Sequence, residues 1–577
     1  MCEACGCSAP LKKLSRVETI KMTSCGLRGG ISRELDDPNP HFTGESAQLL
    51  KFHGIYQQDD RDRRRQVRFL GLDKHHMMMI RTRVPGGIVS ADAYLAHDRI
   101  AEHWGNATLR ITTRQDFQLH GVLKGDLKRA IKEIDLALLT TLGGCGDVER
   151  NIMCCPAPIK DRFRTELLAA LATLVRELTP ATRAYHEIWI DGVVRSSSEP
   201  EVEPLYGQSY LPRKFKTTVG LENDNCVDVY ANDLGLVACQ STSHGLDGFN
   251  ILVGGGLGRT NNMPSTFVAL GSPIGYAPKS RVCAVVKAVV GVERDHGNRA
   301  DRRYARLKYL IADRGLDWFR SEVQERLGFE LEPARRLGRA QIHDHLGWHE
   351  QGDGLLYCGI HLESGRIADT ARAAVRTGLH RLVTELRPQL RLTPQQNLIL
   401  ADIDPQDQAR VQQLLDEHGI SCPEKLPPVF RHAMACPALP SCGLALAESE
   451  RVLPDLLESL SQVTDQLGLG RERISIRMTG CPNGCARPYL GDVGLVGTTL
   501  GKYDIFLGGD FEGTRLNQLF ASSVPLEVIP SLLRPVLAAF RDHREPGQSF
   551  GDWCHQVGVD QLANRPMAMP NAVQVRS

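Results

Sequence analysis

Long apolar runs are missing from this chain: none approaches the ~18 residues that a membrane-spanning helix needs. The opening stretch, MCEACGCSAPLKKLSRVETIK, has no apolar h-region and is not clearly rich in arginine and serine. That argues against a secretory or plastid leader and for a cytoplasmic location. An excess of charge is missing too. With 69 Lys+Arg against 68 Asp+Glu the formal net charge is +1, so nothing calls for nucleic acid as a partner. A dinucleotide fingerprint is also absent. The glycine-rich LVGGGLGRT ending at Thr260 holds no G-x-G-x-x-G with an acid about 20 residues on, and it reads as a close-packed strand end. LGGDFEGTR, ending at Arg515, is its counterpart, and VPGGIV around Gly86 is a turn.

What is present is ordinary in bulk: 577 residues, 42% hydrophobic and 24% charged, enough for several compact units of a soluble protein. The 17 cysteines, with no leader ahead of them, are expected as ligands or free thiols in a reducing compartment. Cys2, Cys5 and Cys7 sit close enough for a small metal site, but so near the terminus that a tail is the simpler reading. Four others carry the argument. Cys436 and Cys442 form C-x5-C in MACPALPSCGLALAESER, and Cys481 and Cys485 form C-x3-C in RMTGCPNGCARPYLGDVGLVG. Thiolates at this density, in glycine- and proline-broken surroundings, suit a soft metal centre, and four is the usual complement of a 4Fe–4S cluster. Zinc is the rival, although it favours C-x2-C knuckles.

The chain is duplicated. A constant shift lays LRITTRQDFQ at 109–118 on LRLTPQQNLI at 390–399, and ERNIMCCPAP at 149–158 on FRHAMACPAL at 430–439. Arg110 then meets Arg391, Gln115 meets Gln396, and Cys155 meets Cys436. A second match joins NDLGLVA at 232–238 to GDVGLVG at 491–497. The first half has no recognisable GCPNGC, so one half has kept the cysteine site while the other offers basic side chains. Around the first copy, MMMIRTRVPGGIV reads as strand and turn, and ADAYLAHDRIAEHWG as a helix. ATLRITTRQDFQLHGV reads as one strand with Arg110, Thr112 and Arg114 on one face, and LKGDLKRAIKEIDLALL as a second helix. The expected fold class is α+β: two ferredoxin-like α/β halves related by a pseudo-twofold axis.

The two cysteine stretches resemble the cluster-binding signature of the sirohaem-dependent sulfite and nitrite reductases. The resemblance runs from about Phe52 to about Trp553 and is nearest the haemoprotein (beta) subunit class of the assimilatory NADPH enzymes. It implies a three-domain haemoprotein fold divided as an N-terminal arm (1–70), a first ferredoxin-like half (71–140), a sirohaem- and substrate-binding α/β domain (141–340), a second ferredoxin-like half (341–420) and a cluster-bearing domain (421–577). It implies that Cys436, Cys442, Cys481 and Cys485 hold the 4Fe–4S cluster, with Cys485 also ligating the sirohaem iron. Sirohaem carries eight carboxylates, and arginine forks suit them. The resemblance assigns this work to Arg110, Arg114, Gln118 and His120 on one strand, to Asn298, Arg299, Arg303 and Lys308 in ERDHGNRADRRYARLKYL, and to Asn483 and Arg487 beside Cys485.

Arg81, Arg150, Lys214 and Lys216 resemble the family's oxyanion-binding residues. Lys214 and Lys216, two apart, would share a face, and the family's nitrite reductases tend to carry asparagine where Lys216 stands. The implied reaction is the six-electron reduction of sulfite to sulfide, with nitrite as the alternative substrate. A degenerate binding protein without turnover is the reading from another class, and the complete cysteine and cation sets argue against it. With no nucleotide site on the chain, electrons are expected from a flavoprotein carrying FAD and FMN that draws on NADPH, or else from a ferredoxin. The mixed-charge stretch LLKFHGIYQQDDRDRRRQ is placed against the catalytic half, and residues 1–50, read as an extended arm, are expected as an extra donor contact.

Overall fold

The computed structural model describes residues 14–181, 188–190, 193–196, 202–338, 340–420 and 423–564. Cys2, Cys5 and Cys7 lie outside them. The described residues fold as mixed α+β around four five-stranded sheets. Two are antiparallel ferredoxin-like sheets. One orders its strands Ile55–Asp59, His76–Arg81, Phe117–Val122, Leu109–Ile111 and Arg366–Ile367; the other orders Gly347–Glu350, Leu356–Ile360, Leu398–Ile403, Gln389–Leu392 and Ile88–Val89. The last strand of each comes from the opposite half: Arg366 pairs with Arg110, and Ile88 pairs with Arg391. The two sheets share one hydrophobic core, which runs from Phe42 to Ile420 and takes residues from both halves.

The remaining two sheets mix parallel and antiparallel pairs. They order Ser272–Pro278, Leu246–Val253, Leu234–Gln240, Thr217–Leu221 and Met153–Cys154 in one, and Gln518–Pro525, Lys502–Leu507, Val493–Thr499, Ile476–Thr479 and Met434–Ala435 in the other. Each has its own core. Running the match of 232–238 with 491–497 backwards superposes the loop after Thr217–Leu221 on the loop after Ile476–Thr479, and sets Cys226 on Cys485. The first half has therefore not lost its counterpart of GCPNGC. It survives as ENDNCV, at 222–227, with one cysteine of two, which was too altered to recognise from sequence.

Local chemistry explains the elements. The helix Ala91–Trp104 starts at Ser90, whose hydroxyl accepts from the Ala93 N–H at 3.1 Å, and buries Tyr94, Ile100 and Ala101 against the shared core. The stretch expected as one strand is a hairpin. Leu109–Ile111 and Phe117–Val122 are joined through Gln115, which takes a left-handed φ of 57°. Gln396, its repeat equivalent, does the same at 68°. Both turns are tied by their own amides: Gln115 donates to the Cys154 and Leu392 carbonyls, at 2.9 and 2.8 Å, and Gln396 donates to the Ser364 carbonyl at 2.9 Å. Residues 14–50 are not extended. They hold the helices Arg16–Thr23, Ile31–Leu35 and Gly44–Leu49, and Lys21 is fully buried, donating to the Leu211 carbonyl at 2.8 Å.

The strand exchange rests on two glycines. Gly87 (φ 74°) and Gly365 (φ 74°) occupy the left-handed region, and a Cβ on either would strike a carbonyl oxygen of the other half, that of Leu392 or of Ile111. These two carbonyls belong to repeat-equivalent residues. Gly365→Ala should therefore cost about 2–4 kcal/mol of stability through strain and clash together. Thermal unfolding followed by circular dichroism checks this; an unchanged midpoint would mean that the crossing is not close-packed.

Candidate active site and metal centre

The four cysteines sit on two loops of the last sheet. Cys436 follows the strand Met434–Ala435, Cys442 lies six residues on, and Cys481 and Cys485 follow Ile476–Thr479. Gly480 ties the loops together. Its N–H points at Cys436 Sγ (3.4 Å), and its carbonyl accepts from Leu446 and Ala447 at 2.7 and 3.0 Å. A Cβ there would collide with the Ala447 carbonyl and Ala438, so the cradle is closed to any larger residue. Asn483 Nδ2 donates to Cys481 Sγ at 3.4 Å. Burial, then the neighbouring sulfurs, push the Cys436 thiol up; burial likewise raises Cys442, and takes Cys481 up to about 12. Thiols held this way ionise when a metal takes the proton's place. Among the described residues no three of these sulfurs lie within 4.8 Å of one another, whereas a single tetrahedral zinc needs them about 3.8 Å apart. The wider spread and the donors to sulfur suit a cluster.

Cys485 is exposed into a solvent-open cleft with about 1160 Å³ of empty space. Among the described residues nine cationic side chains line it and no carboxylate does: Arg114, Arg213, Lys214, Lys216, Arg259, Arg302, Arg303, Arg306 and Arg487. The acids stand behind the wall. Asp233 holds Arg306 at 2.7 and 2.8 Å, Asp147 holds Arg302 at 2.6 and 2.7 Å, and Asp228 pairs with Arg487 at 2.8 Å. Burial and then the Arg213 charge bring the Lys214 ammonium down to about 7, and burial and Lys214 hold Lys216 well below the ordinary lysine value. A cleft lined this way is complementary in charge to an anion.

The structure brings Arg114, Lys214, Lys216, Arg303, Asn483, Cys485 and Arg487 together at this cleft. Arg114 reaches it because it sits on the hairpin turn, where it donates to Asn232 Oδ1 at 2.9 Å. Arg81 and Arg150 do not line the cleft. They meet at the Gly144 carbonyl, 3.4 and 3.0 Å away, and Arg81 Nε is buried without a partner. Arg110 is held by Glu450 at 2.9 Å and by the Ala435 carbonyl at 2.8 Å, with Gln118 directly across the hairpin. His120 is buried with both ring nitrogens unpartnered, and burial, with Arg366 and Arg110 beside it, keeps it neutral. Lys308 braces the cleft wall, donating to the Gly256 and Gly258 carbonyls at 3.1 and 2.8 Å.

Two further predicted residues, Asn298 and Arg299, also stand away from the cleft lining. Asn298 caps a turn through the Ala300 and Asp301 N–H groups, both at 2.9 Å. Arg299 spends its guanidinium on Glu18 (2.5 Å), the Tyr210 carbonyl (2.7 Å) and the Arg294 carbonyl (3.0 Å), anchoring the N-terminal helix. Arg302 and Arg306 take the places at the cleft, because a 3-10 turn at Arg302–Tyr304 resets which side chains of this segment face inward. Arg213, adjacent to Lys214, was also missed; an arginine beside a lysine pair was the available signal.

Comparison with known proteins agrees with this geometry. Residues 172–331 and 429–566 match the model of the nitrite and sulphite reductase 4Fe–4S domain, and 71–137 and 349–418 match the nitrite/sulfite reductase ferredoxin-like half domain. A sulfite reductase [ferredoxin] of Synechococcus elongatus is 42% identical over 96% of this chain and 91% of its own. The sulfite reductase [NADPH] hemoprotein beta-components of Staphylococcus saprophyticus and Myxococcus xanthus are each 42% identical over 95% of this chain, and over 96% and 97% of their own. Among solved structures, the NirA protein of Mycobacterium tuberculosis shares the fold, with a TM-score of 0.78 at 23% identity, over 95% of this chain and 98% of that one.

Replacing Cys436, Cys442 or Cys481 by serine should abolish bound iron and acid-labile sulfide together. Iron and sulfide assays on the purified variants check this, and cluster content equal to that of the parent would refute the ligand set.

Proposed function

The chain belongs to the nitrite and sulphite reductase family, within its sulfite reductase haemoproteins, and from that premise we propose that it carries out the assimilatory reduction of sulfite to sulfide with electrons drawn from NADPH through a flavoprotein. The observation that carries the substrate reading is the cleft: among the described residues nine cations and no acid line it, with Lys214 and Lys216 held below their ordinary pKa, beside a cysteine at its mouth.

The family's cofactors fit the residues present. Cys436, Cys442, Cys481 and Cys485 would hold the 4Fe–4S cluster, and Cys485 would also hold sirohaem. The cofactor's carboxylates would meet Arg114, Arg303, Asn483 and Arg487 with Arg213 and Arg306, and the unpartnered Arg114 Nε is among the donors left for them. When bound, the two groups pass six electrons to the sulfur of the substrate. Everything else falls to side chains. Lys214 and Lys216 bind the sulfite oxygens and release protons to them as water forms, which a lysine near pKa 7 does far more readily than an ordinary one. Arg81 and Arg150 support the same place from the Gly144 side, adding positive charge without a proton to give.

The donor is the finer point. Relatives named for ferredoxin and for NADPH stand at the same identity, so a ferredoxin is the second reading. In either case the donor must approach the cluster. Arg61 lies against the cluster's loop, its backbone N–H donating to the Pro440 carbonyl at 3.3 Å. The Arg61 guanidinium donates to the Cys442 and Ala445 carbonyls at 3.1 and 2.6 Å, and Leu444, between them, is 69% exposed. This surface, rather than residues 14–50, which are packed onto the body, is the donor site we propose.

Two experiments test these readings. Lys216→Asn should lower sulfite turnover more than nitrite turnover, by roughly ten- to a thousandfold, since it removes one charge and one proton donor. An unchanged ratio of the two activities would remove this residue from substrate choice. Leu444→Glu should leave sulfite reduction by reduced methyl viologen intact while cutting NADPH-driven reduction through the flavoprotein at least about tenfold, the loss of one buried apolar contact at an interface. Equal loss of both would place Leu444 in the fold, and activity with ferredoxin alone would identify the other donor.

A further inference from the structure

Where the second half presents its cluster cysteines, the first half presents a different set of ligands. Cys155 stands at the repeat position of Cys436, and Cys226 at that of Cys485. Glu222 replaces Cys481, so a four-thiolate site is impossible there. Two other residues move in: Asp224, on the same loop as Cys226, and His345, from the segment that leads into the strand Gly347–Glu350. All four are buried, and one ligand atom from each lies within 4.8 Å of every other.

Three of the six edges of this group have the dimensions of a tetrahedron, and the three to Cys226 lie within 4.8 Å. Cys155 Sγ is 3.4 Å from Asp224 Oδ2 and 3.7 Å from His345 Nε2, and His345 Nε2 is 3.4 Å from Asp224 Oδ2. Bonds of about 2.3 Å to sulfur and about 2.0–2.1 Å to nitrogen and oxygen, at tetrahedral angles, set these edges at about 3.3–3.6 Å. The outer groups are in place as well. The other carboxylate oxygen, Asp224 Oδ1, accepts from the Cys226 N–H at 3.0 Å and the His343 N–H at 3.3 Å, which fixes Oδ2 toward the centre. We propose that Cys155, Asp224, Cys226 and His345 form a second metal centre, a closed structural site for zinc, at the position in the first half that the cluster cysteines hold in the second.

The electrostatics favour it. Hydrogen bonding from Cys226, together with the nearby His345, lowers the Cys155 thiol against burial, while Cys226 itself is pushed up. A divalent cation would displace the shared protons and offset two of the three negative charges of a thiolate pair and a carboxylate, which burial otherwise penalises. The centre would pin the segment at 340–346 to the loop at 222–228, where the Asn225 N–H already donates to the Gln341 carbonyl at 2.9 Å. Two residues beyond Cys226 is Asp228, the partner of Arg487 in the cleft. The site thus acts as a staple behind the anion pocket, with no part in electron transfer.

Metal analysis of the purified holoenzyme after dialysis against EDTA should find one zinc per chain in addition to iron. Zinc-edge X-ray absorption should then give two sulfur neighbours at about 2.3 Å and two nitrogen or oxygen neighbours at about 2.0–2.1 Å. Cys226→Ser should lose the zinc while keeping the iron and the sirohaem absorption. His345→Gln, a milder change, keeps the test valid if the serine variant does not fold, and should lose zinc as well. Zinc absent from the holoenzyme and not taken up when Zn²⁺ alone is added would overturn the proposal. So would zinc retained in full by His345→Gln, or a disulfide between Cys155 and Cys226 found by mass spectrometry.

Discussion

Asp228 and Arg487 occupy equivalent positions in the two halves, both with left-handed backbone (φ 50° and 55°), and they meet each other at 2.8 Å. Both are buried, and Arg477 joins the same carboxylate oxygen at 2.8 Å. Removing one side of such a pair strands a buried charge, at a cost of about 3–5 kcal/mol. The pair therefore locks the halves into one relative placement, and it also sets their asymmetry. One half supplies the acid, and the other supplies the base that faces the cleft. Two further pairs, Asp233 with Arg306 and Asp147 with Arg302, lie within the first half, and there too carboxylates outside the pocket hold the cations that line it.

This arrangement explains how so many like charges share one cleft. The arginines with acids behind them keep their charge and their aim. Among the described residues Lys214 and Lys216 have no such partner close enough to restore the ordinary value, although Asp233 lies near Lys216, and burial among cations lowers both. Position relative to the supporting carboxylates thus separates the cations that keep their charge from the two lysines that fall below the ordinary value.

Much of this was legible in the sequence, for reasons that can be named. The repeat shows as two pairs of like sheets, and the cysteine spacing and the pair at Lys214 and Lys216 are local patterns whose residues the structure places on two loops of one sheet and in one cleft. What failed depended on turns. Reading 107–122 as one strand missed the turn at Gln115, whose conformation is tied by bonds to the Leu392 carbonyl in the other half. Choosing Asn298 and Arg299 over Arg302 and Arg306 missed a 3-10 turn that shifts the inward face. The arm at 14–50 looked unstructured because its helices are short and polar, and what orders them is tertiary: Lys21 against Asp147, and Glu18 against Arg299. The first half's loop at 222–228 was passed over because only one of its two cysteine positions is still a cysteine.

The exchanged edge strands have a further consequence. A chain made of one half alone could complete its sheet only by pairing with a second copy, as a symmetric dimer with two identical sites related by the twofold axis. Covalent joining replaces that encounter by a fixed effective concentration, so the assembly no longer depends on how much protein is present. It also frees each copy of the repeat from having to serve both roles at once. Symmetry would have made a one-sided pocket impossible, because every acid placed behind it would reappear in front. The tether between the halves is thus what permits a single reaction centre built from two versions of the same unit.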